Sequence, residues 1–307
     1  MKKADPIVCI RCMTYNQEKY IAQCLDGFVM QKTDFSFIAI VHDDASTDKT
    51  PLIIQEYATR YPEIIVPVLE KENQYSQGKL SKVMYPLMKG RYIAVCEGDD
   101  YWTDPMKLQK QVSFMESHPD FTMCFHQAIR HHEDSNIPDC LYSDIENREY
   151  TGQELYQSKH RPPTASILIR HSVFESDVYK QCLDQISSFG DLSFFLSAAH
   201  CGKVYGMTDI MSVYRMNNNG VSNVFNSTND KVLKFANENL KLYKIFGEQY
   251  KEECVNVYVI DYINHFFRCR QFGVIRLRLL TTPLMKFPKH TLQLLFQRVI
   301  SHYKKNK

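Results

Sequence analysis

The sequence predicts an α/β fold, in which a mainly parallel sheet is flanked by helices and followed by a helical C-terminal extension. Through roughly the first hundred residues, short apolar runs alternate with amphipathic segments of helical period, which is typical of βαβ units. Beyond about Asp230 the pattern is helical throughout. Hydrophobic residues make up 44% of the 307 residues, which supports a packed core and argues against extensive disorder.

Apolar runs bounded by polar or turn-forming residues predict the strands. These are Ile7–Met13, Phe35–Val41, Ile64–Leu69, Tyr92–Cys96, Thr122–Ala128, Ser166–Arg170, Val204–Met207 and Met211–Tyr214. Helical periodicity predicts the helices Glu18–Gln31, Lys49–Tyr61, Lys107–His118, Asp191–Ala199, Lys231–Phe246, Glu252–Arg270 and Thr291–Tyr303. The polar stretch 131–147 is expected to be an irregular loop.

Charge is distributed unevenly along the chain. The net charge of +2 implies no polyanionic partner by itself. From Tyr262 to Lys307, however, there are ten Lys and Arg residues and no Asp or Glu. Cations interleaved with apolar residues at helical spacing are typical of segments that lie on an anionic membrane surface, so peripheral membrane contact is one expectation. The alternative is a helical cap with a solvated cationic face. No nucleic-acid-binding motif accompanies the tail, so no nucleic acid partner is expected.

Cysteine usage and the N-terminal segment indicate a cytoplasmic protein. The ten cysteines are irregularly spaced, and several lie in apolar runs, which favours buried free thiols in a reducing compartment. Cys9 and Cys12 have C-x-x-C spacing, but they would lie on opposite faces of a strand, and no second pair completes a zinc site. No apolar stretch resembles a signal peptide or a transmembrane helix.

Polar loops follow three of the predicted strands. The first is Thr14, Tyr15 and Asn16, the second is 42–48, and the third is 97–102. In a parallel sheet, ligands bind beyond the carboxyl ends of the strands, so these loops are expected to meet at one edge. Paired carboxylates occur in two of the loops. The pairs are Asp43 with Asp44 and Asp99 with Asp100.

The pair Asp99 and Asp100 is typical of a divalent-cation site. Two adjacent carboxylates need a counter-charge, and Mn²⁺ or Mg²⁺ prefers carboxylate and phosphate oxygens. Asp43 and Asp44 could accept hydrogen bonds from a base or a ribose, and Tyr15 could stack on a base. The alternative for Asp99 and Asp100 is that they cap a turn or a helix, as Asp often does. In the second loop, Asp48 or Ser46 could be the N-cap of the following helix, which would explain part of that motif but not the pair Asp43 and Asp44.

Three motifs together resemble the family 2 glycosyltransferases, which have the GT-A fold. They are Met13–Asn16, Asp43–Asp48 and Glu97–Asp100, and they occur in the family's order and spacing. The resemblance covers about residues 6–225. It implies a GT-A-type nucleotide-binding sheet in a catalytic domain, residues 1–225. Residues 1–120 would be the nucleotide-sugar-binding half and 121–225 the acceptor-binding half. Residues 226–307 would form the helical, basic extension.

The resemblance also implies roles for individual residues. Tyr15 and Asp44 match positions that contact the base, and Thr14, Asn16 and Asp43 lie beside them in the donor-binding loops. Asp99 matches a carboxylate near the ribose and diphosphate, and it adjoins the metal-binding position matched by Asp100. Asp191 matches the catalytic base, and Arg215, followed by 220–222, resembles a Tyr-Arg motif near the diphosphate. Many relatives have His shortly after that motif, where this chain has Met216 and Asn217.

The implied activity is metal-dependent, inverting transfer of a sugar from a UDP-sugar or other nucleotide-diphospho-sugar to an acceptor hydroxyl. The acceptor would be a saccharide or a lipid-linked saccharide, in bacterial surface polysaccharide or glycan assembly. One alternative is a sugar-nucleotide pyrophosphorylase, although its glycine-rich loop is missing from 13–19. Another is a sugar-nucleotide-binding protein without transfer activity.

For several residues the sequence allows two interpretations. Asp191 could cap a helix, Trp102 could pack against a sugar or anchor the core, and the cluster 131–134 could bind a metal or lie in solvent.

Overall fold

The computed structural model describes residues 5–156, 160–187, 190–217, 229–268 and 274–305. The chain forms two compact units. The first unit comprises Met1–Leu183 and Gly190–Asn217, and the second comprises Asp184–Phe189 and Asn218–Lys307. The domain boundary expected at residue 225, like the segment 220–222, lies outside the described residues.

Four parallel strands form the first half of the sheet. They are β1 (Val8–Thr14), β2 (Phe37–Asp43), β3 (Ile65–Leu69) and β4 (Tyr92–Val95), in the order β3-β2-β1-β4. Helices α1 (Ile21–Val29), α2 (Thr50–Arg60) and α3 (Leu80–Met84) lie between them in the chain. Thr14 pairs with Asp43 at the ends of β1 and β2, so the loops after these strands begin side by side.

The second half of the sheet mixes parallel and antiparallel pairs. Its strands are β5 (Tyr101–Trp102), β6 (Phe121–His132), β7 (Cys140–Leu141), β8 (Arg148–Tyr150), β9 (Leu168–Arg170) and β10 (Lys203–Met216). The helices are α4 (Lys107–Ser117), α5 (Gly152–Tyr156), α6 (His171–Glu175), α7 (Asp177–Gln185) and α8 (Gly190–Cys201). Strand β9 pairs antiparallel with β4 and β6 and joins the two halves.

Two sequence-based predictions of strands were wrong. The segment expected to hold two strands, near 204–214, is the single strand β10, which keeps its pairing with β6 through register shifts around Ile210. The expected irregular loop 131–147 contains the end of β6 and the short strand β7. Polar side chains are tolerated in these strands because that part of the sheet is only partly buried.

The core of the first unit lies between the parallel strands and their helices. Trp102 is 2% exposed, packs edge-on against Phe28 at 4.9 Å and donates its Nε1–H to the Ala165 carbonyl at 2.8 Å. It is therefore a core anchor. Among the described residues all cysteines are free thiols and most are buried, as predicted. Cys12 belongs to the same core cluster as Val8 and Ile10.

The second unit is helical, with α9 (Asn229–Phe246), α10 (Lys251–Arg268), α11 (Val274–Lys286) and α12 (Pro288–Lys305). These helices pack around a cluster that includes Leu240, Tyr258 and Leu279. Helix α11 was not predicted, because Pro283 normally interrupts a helix, yet it lies inside this one. Within the described chain, none of the helices has both the length and the apolar character needed to cross a bilayer.

Candidate functional site

The loops that follow β1 and β2 are joined by hydrogen bonds. The Asn16 N–H donates to Ser46 Oγ and the Thr47 N–H donates to Asn16 Oδ1, both at 2.8 Å. Asn16 and Ala45 have φ of 52° and 63°, the left-handed region that side chains other than glycine rarely adopt. These contacts hold the predicted donor-binding loops as one surface.

The carboxylates of Asp43 and Asp44 are buried and shape these loops. Asp43 accepts hydrogen bonds from the N–H and the Oγ of Ser46. Asp44 accepts from the backbone N–H groups of Gln74 at 2.7 Å and Tyr75 at 3.0 Å. Both aspartates are at most 3% exposed, whereas Tyr15 is 48% exposed. Of these residues, Tyr15 has the free surface that a base could stack on.

The turn after β4 lies directly against the end of β1. The Gly98 N–H donates to the Met13 carbonyl at 2.9 Å. A Cβ at Gly98 would lie 2.4 Å from Gln17 Oε1 and 2.8 Å from Thr14 Cβ, which only glycine avoids. Thr14 Oγ1 and Gln17 Oε1 are themselves buried and have no hydrogen-bond partner in the part of the chain that the structure describes. The close approach brings the loop after β1 to Asp99.

The two aspartates of this turn, Asp99 and Asp100, have raised pKa values. Burial raises the pKa of Asp100 well above its usual value, and the charge of Asp99 adds to the effect. Burial also raises the pKa of Asp99, although a hydrogen bond from Asn217 opposes the shift. Asn217 Nδ2 donates to Asp99 Oδ2 at 3.0 Å. An added positive charge would stabilise both carboxylates.

Arg215 fixes the position of the acidic turn. Its backbone N–H donates to Asp100 Oδ1 and its Nε–H to the Asp99 carbonyl, both at 2.9 Å. Its remaining guanidinium groups donate to Glu133 Oε2 and to Gln23 Oε1. The guanidinium also lies over the rings of Tyr20 at 4.8 Å and Tyr101 at 5.1 Å. Arg215 is only 8% exposed, so its N–H groups donate to partners within the protein.

Sequence reasoning missed Gln23, Glu133 and the two tyrosines around Arg215. Glu133 lay within the cluster 131–134, for which a solvated loop and a metal site were both considered. In the structure, Glu133 pairs with Arg215, while His131 Nδ1 lies 2.8 Å from Asp139 Oδ1. Across the described parts of the chain there is no group of three or more His, Cys, Asp or Glu side chains that could hold a metal ion.

Asp191 lies in the first turn of α8, where its Oδ1 accepts the N–H of Leu192 at 2.8 Å. Burial raises the pKa of Glu97 to about 7, and the charges of Asp99 and Asp191 contribute to the increase. Arg11 Nη1 lies 3.7 Å from Glu97 Oε1, and its positive charge opposes this increase in the pKa of Glu97. Asp191 is thus close enough to the acidic turn to interact electrostatically with Glu97.

The donor set at this edge suits a hard divalent cation. Asp99 and Asp100 supply adjacent carboxylate oxygens, and burial raises the pKa values of both. Mg²⁺ in proteins is often held by only one or two carboxylates, with substrate phosphates completing its coordination. Within the described residues, no cluster of three or more acidic, imidazole or thiol side chains is placed to hold a metal, so a pair of carboxylates fits that pattern.

Comparisons with known proteins agree on the family. Residues 9–176 match the model of glycosyl transferase family 2. An uncharacterised protein of Mycobacterium tuberculosis is 35% identical over 211 residues, which are 68% of this chain and 58% of that protein. The chain therefore spans less than two thirds of that relative's length. The putative teichuronic acid biosynthesis glycosyltransferase TuaG of Bacillus subtilis is 27% identical over 241 residues, covering 72% of this chain and 84% of TuaG.

Solved structures agree on the fold. The S. aureus TarS fragment in complex with UDP-GlcNAc superposes with a TM-score of 0.61 at 17% identity, covering 92% of this chain and 81% of that one. Mannosyltransferase PcManGT from Pyrobaculum calidifontis, in complex with GDP-Man and Mn²⁺, gives a TM-score of 0.54 at 15% identity, covering 98% and 87%. The predicted GT-A-type α/β fold is confirmed. Because the family model matches more than half of its residues, the chain belongs to glycosyl transferase family 2.

Proposed function

We propose that the chain transfers a sugar from a nucleotide-diphospho-sugar to an acceptor hydroxyl, with inversion and with a divalent cation. One observation carries the proposal: the adjacent carboxylates of the partly buried Asp99 and the buried Asp100 have raised pKa values, and they lie at the sheet edge where the loops after β1 and β4 meet. A nucleoside diphosphate brings phosphate oxygens that can share a cation with these carboxylates.

Asp99 and Asp100 would hold Mn²⁺ or Mg²⁺, which when bound offsets the negative charge that develops on the diphosphate leaving group. Arg215 keeps both residues in position through its contacts with Asp100 Oδ1 and the Asp99 carbonyl. Tyr15 would stack on the base, next to the surface formed by Thr14, Asn16, Asp43 and Asp44. The carboxylates of Asp43 and Asp44 already accept hydrogen bonds from within the protein, so their main role would be to maintain the shape of the loops.

Asp191 would act as the general base. In this role its carboxylate takes the proton of the acceptor hydroxyl while that oxygen attacks the anomeric carbon from the face opposite the leaving group. General-base assistance of this kind contributes about 10²- to 10⁴-fold in rate. Its position in the first turn of α8, near the acidic turn, supports this assignment.

The comparisons suggest the donor and acceptor classes. TarS was solved with UDP-GlcNAc and PcManGT with GDP-Man and Mn²⁺, and the name of TuaG refers to teichuronic acid. We therefore expect a UDP- or GDP-linked sugar as donor. A saccharide or lipid-linked saccharide of a bacterial surface polysaccharide is the expected acceptor. A cytoplasmic location fits the free thiols of the described cysteines.

The test is incubation of the protein with a panel of UDP- and GDP-sugars in the presence of Mn²⁺ or of a chelator. Slow, metal-dependent release of free nucleoside diphosphate supports the proposal, because a transferase without acceptor hydrolyses its donor slowly. Formation of nucleoside triphosphate from pyrophosphate would instead indicate a pyrophosphorylase. Binding of a donor without turnover, even with saccharide acceptors present, would indicate a non-catalytic binding protein.

A further inference from the structure

The second unit exposes large apolar side chains within its acid-free segment. Among the described residues, the four most exposed large hydrophobic side chains are Leu277 at 61%, Met285 at 85%, Leu292 at 60% and Phe296 at 67%. All four lie between residues 262 and 307, where the sequence has ten Lys and Arg and no Asp or Glu. Exposed apolar groups and uncompensated positive charge thus occur in the same segment.

Helix α12 has two distinct faces. Thr291 is fully buried, and Leu294 and Leu295 pack against the cluster formed with α9, α10 and α11. The exposed positions follow the three- and four-residue spacing of one helix face. They are Lys289, Leu292, Gln293, Phe296 and Gln297. Among the described residues, the core cluster of the unit therefore forms without Leu292 and Phe296, whose side chains are exposed.

Helix α11 repeats this arrangement. Leu279 is 3% exposed and Pro283 is buried, one turn apart on the inner face. Leu277, Arg278 and Met285 are exposed on the outside. Each of the two helices thus presents apolar and cationic side chains to the surroundings while its opposite face fills the core.

We propose that the exposed faces of α11 and α12 bind an anionic phospholipid surface. Apolar side chains in the plane of a membrane interface insert between lipid chains, and flanking Lys and Arg are attracted to anionic headgroups. Charge selects this partner, since the segment contributes cations and no carboxylates. A second copy of the chain would place the same positive charge against itself, which disfavours a homodimer through this face.

The test is flotation of the full chain with vesicles of phosphatidylcholine alone or mixed with phosphatidylglycerol. We expect binding to the anionic vesicles and much weaker binding to the neutral ones. High salt should reduce the anionic binding of the unmodified protein, because it screens the cations. This salt comparison needs no variant, so it remains decisive if a variant fails to fold.

Two double variants separate the contribution of the apolar side chains to lipid binding from that of the cations. Leu292→Gln with Phe296→Gln should lower the partition coefficient by about tenfold or more, because two exposed apolar side chains no longer insert. Arg278→Gln with Lys289→Gln should lower it by about fivefold for each cation removed. The matched control is Leu52→Gln with Ile137→Gln, since these residues are 58% and 55% exposed in the first unit. The control should float like the unmodified protein.

Three results would overturn the proposal. They are equal recovery of the apolar variant and the control, equal binding to neutral and anionic vesicles, and a concentration-dependent dimer in light scattering that the apolar variant abolishes. Donor hydrolysis, measured on the same preparations without lipid, should be unchanged in every variant. A failure of lipid binding is thereby distinguished from a failure of the transferase function.

Discussion

At the scale of single residues, the acidic turn is a site of unfavourable electrostatics that a ligand can relieve. Burial raises the pKa values of Asp99 and Asp100, so keeping both ionised at neutral pH costs free energy. Arg215 is adjacent but shares its guanidinium with Glu133 and Gln23. Arg215 therefore does not offer its whole charge to the pair, and a bound cation would add positive charge there.

Replacing Asp191 with Asn tests the general base. Asn cannot accept the acceptor proton, so the transfer rate should fall by about 10²- to 10⁴-fold. Donor affinity should be unchanged, because Asp191 is not among the residues that hold the donor in our account. Titration calorimetry gives the affinity, and chromatography of the glycosylated acceptor gives the rate. Transfer at the unmodified rate would show that another group takes the proton.

Replacing Glu133 with Gln tests the positioning of Arg215. Gln keeps an acceptor oxygen but removes the negative charge that orients the guanidinium, so Arg215 should hold the acidic turn less firmly. We expect the Mn²⁺ concentration needed for half-maximal activity to rise by roughly tenfold, with little change in melting temperature.

The control for this variant is Asp139→Asn, which removes the negative charge beside His131 Nδ1, keeps an acceptor oxygen there and leaves the residues of the contact between Arg215 and Glu133 unchanged. It should retain the unmodified dependence on Mn²⁺. The positioning role is rejected if Glu133→Gln responds to Mn²⁺ as the control does.

At the scale of secondary-structure elements, the sequence predicted the strands and loops that follow from a local pattern of apolar and polar residues. Apolar runs identified β1 to β4, and polar residues after them identified the loops that meet at the sheet edge. Contacts between distant segments could not be predicted, because no local pattern encodes them. Arg215 and Glu133 are 82 residues apart in the chain and meet because β10 pairs with β6 in parallel. Likewise, the backbone N–H groups that donate to Asp44 lie 30 and 31 residues further on, at Gln74 and Tyr75.

Ala45, in the loop after β2, has a strained backbone conformation, which a substitution by glycine can test. Ala45 has φ of 63°, which costs an L-residue about 1–2 kcal/mol and glycine much less. Glycine also loses more entropy on folding, by about 0.5–1 kcal/mol. Ala45→Gly should therefore raise the free energy of unfolding by up to about 1 kcal/mol in urea denaturation.

The matched control for Ala45→Gly is Ala58→Gly in the interior of α2, where glycine should destabilise the protein by about 1 kcal/mol. Equal destabilisation by both substitutions would mean that the loop does not hold Ala45 in the left-handed region.

Helix α4 buries a lysine whose ionisation should affect stability. Lys107 is fully buried, donates to Gln111 Oε1 at 2.7 Å and lies 4.0 Å from the Trp102 ring centroid. Burial lowers its pKa to about 7, whereas in the unfolded chain the value is about 10. The unfolded state thus binds an extra proton between these pH values, so stability should rise with pH across this window.

Lys107→Met removes the buried amino group that titrates in this range. The difference in unfolding free energy, variant minus unmodified protein, should decrease as pH rises from about 7 to about 10. The control is Lys110→Met, because Asp209 and Asp104 raise the pKa of the exposed Lys110. That control should show no such trend in this range. Denaturant titrations at several pH values give both differences, and parallel curves for the two variants would contradict the effect.

At the scale of the whole molecule, the two units carry separate proposals. The first unit contains the acidic turn, the loops after β1 and β2, and Asp191, and it includes all the residues that match the family model. The second unit contains the basic, apolar faces of α11 and α12. Catalysis and lipid binding can therefore be tested independently, by substitutions that lie in different units.

The central claim is that Asp99 and Asp100 bind a donor diphosphate together with a divalent cation. Its most direct test is titration calorimetry of UDP- and GDP-sugars, with Mn²⁺ or with a chelator, on the unmodified protein and on Asp100→Ala. We predict that at least one donor binds in Mn²⁺, that the chelator abolishes this binding, and that Asp100→Ala retains its fold but loses the metal-dependent binding. Donor binding that is equally tight in the chelator and in Asp100→Ala would contradict the claim.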